Sequence, residues 1–65
     1  MNKLREMVKA KVGYIGDKLY KEALQVAKAD VQAHRKDFDS KSKAEQLKYV
    51  AYTMAVYIIM SGRYE

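Results

Sequence analysis

Cysteine, proline and tryptophan are all missing from this chain, histidine occurs once, and glycine only three times. Without cysteine there are no disulfides and no thiolate metal sites. With one histidine there is no imidazole cluster to hold a metal. The absence of proline and the scarcity of glycine, in a chain rich in Ala, Lys, Leu, Val and Met, remove the usual helix breakers. The class expected is therefore all-α.

Long apolar runs are missing too. The longest uncharged stretch, Tyr49–Gly62, has 14 residues, against about 20 needed to span a bilayer as a helix. Lys9 and Lys11 interrupt any apolar signal-peptide core near the start. With no cysteine and no export signal, the expected location is the cytoplasm. Length is short as well. Sixty-five residues allow one domain, 1–65, whose lone core supplies only about 3–5 kcal/mol. With disulfides and thiolate metal sites excluded and a single His a poor basis for any other metal site, oligomerisation is the staple expected, with unusually good helix packing the alternative.

Acids are outnumbered: 8 Asp and Glu stand against 13 Lys and Arg, a net charge of +5. That balance favours anionic partners, whether nucleic acid, an acidic protein surface or anionic lipid, without choosing among them. A membrane-surface role ranks last, because Trp is absent, Phe occurs once, and acids are interspersed with the lysines.

Three helices are expected, over about 3–12, 18–36 and 43–61. In the first, Leu4, Val8 and Val12 recur every fourth residue with Ile15 next in line and Met7 at the flank. Gly13 and Gly16 bracket Tyr14-Ile15 and read as a turn, with Asp17 capping the second helix. One long helix through both glycines is the competing reading. In the second helix, Tyr20, Leu24, Ala27, Val31, His34 and Phe38 form an amphipathic seam. Lys18, Lys21, Gln25, Lys28, Gln32 and Arg35, with Lys36 adjacent, make an acid-free stripe on its other side. Asp37–Ser42 reads as a polar loop anchored by Phe38. Ser42 and Glu45 then form a capping box, and Gly62 a left-handed stop.

The third helix is the most apolar part of the chain, with no charge from Tyr49 to Met60. Its wheel separates into two seams. Leu47, Val50, Ala51, Met54 and Ile58 are the expected core; Tyr49, Tyr52, Val56, Ile59 and Met60 lie roughly opposite. The second seam is either further core or an interface. Read as an interface, it makes the chain a homodimer packed through the third helix, and its tyrosines and methionine suit contact surfaces.

The basic stripe has the composition of phosphate contact, Lys and Arg neutralising charge and Gln able to read a base edge. A solvated helix face is its plainer meaning. His34, with Asp30 and Asp37 one turn either side, reads as a hydrogen-bonded histidine at the core margin. There is no glycine-rich phosphate loop, nucleophile elbow or metal-ligand cluster. No enzyme, cofactor or small-molecule substrate is expected. The expectation is a non-enzymatic interaction protein, a regulator or inhibitor that docks on another macromolecule. A nucleic-acid binder using the second helix is the alternative.

Overall fold

The computed structural model describes residues 3–62 and, over them, is all helical. Its helices are α1 (Lys3–Val12), α2 (Asp17–Ala33), α3 (Arg35–Asp39) and α4 (Lys43–Ser61). The first and last coincide with the expected spans. Where the second was expected to run unbroken through Lys36, the chain breaks at His34 and adds a five-residue helix, so four helices replace three.

Local chemistry sets most of these ends. Gly13 takes φ +82°, a left-handed conformation that L side chains rarely adopt, and its amide donates to the Lys9 carbonyl at 2.7 Å. The chain then turns through Tyr14 and Ile15, so the two-helix reading holds. Gly16, not Asp17, is the N-cap of α2. Asp17 is instead the first helical residue, where a carboxylate complements the helix dipole, and it pairs with the Arg5 guanidinium. That guanidinium holds the Asp17 carboxyl below the usual carboxylate range. Ser42 caps α4 by accepting from the Glu45 amide at 3.3 Å, and Gly62 closes it at φ +72°.

Helix α4 is the centre: α1 packs on one side of it and α2 on another. Val8, Ile15, Leu19, Tyr20, Ala23, Ala27, Ala51, Met54 and Ile58 are buried together as one core. Four buried alanines, Ala23 and Ala27 on α2 with Ala51 and Ala55 on α4, let backbones approach closely. Ile15 is only 2% exposed, so the turn carries its own anchor, whereas Tyr14 beside it points to solvent.

Two cross-links fix the register of α2 against α4. The Tyr57 hydroxyl donates to Glu22 and the Tyr49 hydroxyl to Asp30. Eight residues forward on α4 match eight residues backward on α2, so the two helices run antiparallel. In that register Lys36 would lie level with Lys43, the first residue of α4. A helix continuing straight to Phe38 would carry that residue level with Lys41, ahead of the first turn of α4. The break at His34 resolves this. Its amide closes α2 on the Asp30 and Val31 carbonyls, and its own carbonyl accepts from Phe38 to open α3.

Candidate functional site

Three surfaces contain the residues that could do work. The first is the outward side of α4. Tyr52 is 64% exposed, Ile59 54% and Met60 81%, while Val56 is half-buried between them. Tyr52, Val56 and Ile59 succeed one another at four- and three-residue steps, so they form one stripe along the C-terminal half of the helix. At the other end of this side stand Glu45 and Lys48, both exposed. Fully burying each large side chain would contribute about 1.5–3 kcal/mol that this surface leaves unused. An exposed apolar stripe of this kind is a candidate contact surface.

Helical periodicity groups Tyr49 with that stripe, but the structure places it elsewhere. Its hydroxyl is committed to Asp30, and Phe38 meets its ring edge-on, with centroids 5.7 Å apart. The Lys41 ammonium lies 5.9 Å from the centre of the same ring. Tyr49 thus holds α2, α3 and α4 together, and it leaves Tyr52, Val56, Ile59 and Met60 as the outward set. The hydrogen bond to Asp30 raises the Tyr49 pKa, with desolvation and the Asp30 and Asp37 charges adding in the same direction.

The second surface is the basic stripe. Lys18, Lys21, Gln25, Lys28 and Gln32 are all exposed on α2 and run along one side of it. Arg35 and Lys36 are exposed too, but they belong to α3, beyond the break. The straight stripe therefore ends at Gln32, about 21 Å from Lys18 at the α-helical rise. Arg35 is also engaged, its Nε 3.3 Å from the Asp39 carboxylate. His34, expected at the core margin, is exposed instead, with Nε2 3.9 Å from Asp30. Ending a helix there turned the imidazole outward.

The third surface has no counterpart in the sequence pattern. Leu47 and Val50, expected in the core, are only half-buried, as are Leu4, Leu24, Val31 and Phe38 around them. The core of α4 starts at Ala51. Above it lie two apolar hollows of about 280 and 290 Å³, which share Phe38 and Val50. Gln46 builds one wall: its amide nitrogen donates to the Phe38 and Lys41 carbonyls, each at 3.1 Å, tying the end of α3 to α4. The sequence signal for this is slight, an amide one turn after a capping serine. Among the described residues no group of three or more His, Asp or Glu could hold a metal ion, and no helix is long and apolar enough to cross a membrane.

Compared with protein-family models, curated proteins and solved structures, the chain matches none.

Proposed function

We propose that this protein is a small non-enzymatic interaction module, a regulator or inhibitor that acts by docking, and that it pairs with a second copy through α4. The observation that supports this is the outward stripe of Tyr52, Val56, Ile59 and Met60 on a helix whose other sides already serve α1 and α2. A domain of this size has few large apolar side chains to leave wet, because its lone core supplies only about 3–5 kcal/mol. Pairing would bury that stripe and add a staple to a chain that has no cysteine for disulfides.

Sedimentation of the purified chain at tens of micromolar tests the pairing. A dimer that becomes a monomer on Ile59→Glu or Tyr52→Glu, with helix content unchanged, is the expected result. A strict monomer of the unaltered chain overturns it.

A second reading rests on a separate observation: Lys18, Lys21 and Lys28 share one side of α2, all exposed, and form no ion pair among the described residues. In this reading the stripe binds nucleic acid through phosphate contacts. Neutralising Lys21 and Lys28 should then weaken binding to generic DNA and RNA alike and flatten its salt dependence. Gel shifts at two salt concentrations decide it, and no binding at low salt rules it out.

A further inference from the structure

We propose that the cleft formed by α2, α3, the first turn of α1 and the first half of α4 is a second docking site, and that its occupant is an acidic amphipathic helical segment of a partner protein. It uses a surface separate from the outward stripe of α4 and goes beyond that reading.

The shape of the cleft suits a helix. Its floor is a ridge made by Phe38 and Val50, with a hollow on each side. Leu24 and Val31 line the hollow toward α2, of about 280 Å³, and Leu4 and Leu47 line the one toward α1, of about 290 Å³. Each is small for a separate ligand site, which usually takes about 300–1,000 Å³. Two adjacent apolar hollows divided by a ridge instead suit two anchor side chains, three or four residues apart on one helix.

Charge selects the kind of helix. The charged residues at the rim are Lys28 beside the first hollow and Lys43 beside the second, joined by the amides Gln32 and Gln46. Both lysines are exposed, and neither forms an ion pair among the described residues. No carboxylate lines either hollow. An occupant with acids flanking its apolar anchors meets a lysine at each end. A second copy of this chain, at +5, would bring further positive charge to the same rim. Nucleic acid finds aliphatic walls and a single phenyl ring, with no run of stacking surfaces.

The walls are held before anything binds. Gln46 fixes the end of α3, Ser40 Oγ donates to the Asp37 carbonyl at 2.7 Å, and the Tyr49 ring backs Phe38. A preformed cleft avoids the ordering cost that weakens flexible sites.

The probe is a displayed library of random peptides about 16 residues long, a little over four helical turns, selected on the full chain. Enriched peptides should carry two large apolar residues three or four apart and a net negative charge. For the best of these, Lys28→Glu and Lys43→Glu should each weaken binding about tenfold, as expected for one charge contact at a partly desolvated rim. Both positions are exposed, so these variants fold, and Phe38→Ala provides a second route to loss of binding. Ile59→Glu should leave peptide affinity unchanged while altering the oligomeric state, which separates the two surfaces. The inference is overturned if no peptide enriches, if enriched peptides lack acids, or if affinity survives both lysine reversals. Binding of a fluorescent dodecanoate where no peptide is selected would assign the cleft to a small amphiphile, and that overturns it as well.

Discussion

The two ends of α4 are built differently. Around its second half, Val8, Ile15, Met54 and Ile58 are at most 2% exposed and pack closely together. Around its first half, Leu47, Val50 and Phe38 are half-buried, and side-chain hydrogen bonds take over: Gln46 to α3, Tyr49 to Asp30. Helix length contributes to the contrast. Ten residues give α1 about 15 Å, whereas nineteen give α4 about 28 Å, and α1 meets the first half of α4 through its first turn, where half-buried Leu4 lies beside Leu47 and Val50. What α1 leaves uncovered is closed partly by α3, a helix too short to bury a full face. Packing dominates at one end, with the Tyr57–Glu22 hydrogen bond beside it, and directed polar contacts at the other, which is the more open of the two.

The packed end is the more sensitive of the two to substitution. Ile58→Ala removes buried methyl groups that cannot be replaced and should cost about 2–5 kcal/mol, comparable with all that a core of this size supplies. Chemical denaturation should show a chain that is largely unfolded before denaturant is added. Gln46→Ala loosens only the open end. Losing two hydrogen bonds at about 0.5–1.5 kcal/mol each should leave a cooperative fold. Amide exchange should then speed up in 35–42 while 51–58 stays protected.

The tyrosine cross-links lie one in each half of α4. Tyr57→Phe, which removes the link to Glu22, should cost about 1 kcal/mol in denaturant. Tyr49 adds a pH signature. Its pKa is raised because the neutral phenol donates to Asp30, so the link contributes fully below the ordinary tyrosine value of about 10 and is lost as pH rises through the folded value. Alkaline titration monitored by tyrosinate absorbance should show a late-ionising group that Tyr49→Phe deletes. The smallest effect on the fold belongs to the outward stripe. Ile59→Glu should shift monomer stability by no more than about 0.5 kcal/mol, and its consequence should appear in self-association alone.

Much of the fold is legible in the residues, for reasons that are local. Ser42 and Gly62 mark the ends of α4 through their own side-chain and backbone chemistry, and Gly13 ends α1 in the same way. The outward stripe is legible because wheel geometry places Tyr52, Val56 and Ile59 opposite Met54 and Ile58 whatever packs nearby. Tyr49 is misplaced by that geometry, since the same wheel puts it beside Tyr52, and only the arrival of Asp30 and Phe38 draws it inward. Leu47 and Val50 read as core because periodicity reports which side of a helix is apolar, not how far along it a neighbour reaches. The break at His34 leaves no mark, since the Val31–His34–Phe38 spacing suits an unbroken helix equally well.

Local chemistry is enough for the helical class, the ends of α1 and α4, the two-sided apolar character of α4 and the exposed lysines of α2. All of these arise from capping chemistry and helical periodicity, which act within a few residues. Where α2 stops, which tyrosines become cross-links, and the hollows beside Phe38 follow only from how the helices pack. Those outcomes depend on the relative lengths of helices packed side by side and on the register in which Tyr49 meets Asp30 and Tyr57 meets Glu22. Partners 19 and 35 residues apart in the chain meet only once the bundle has formed.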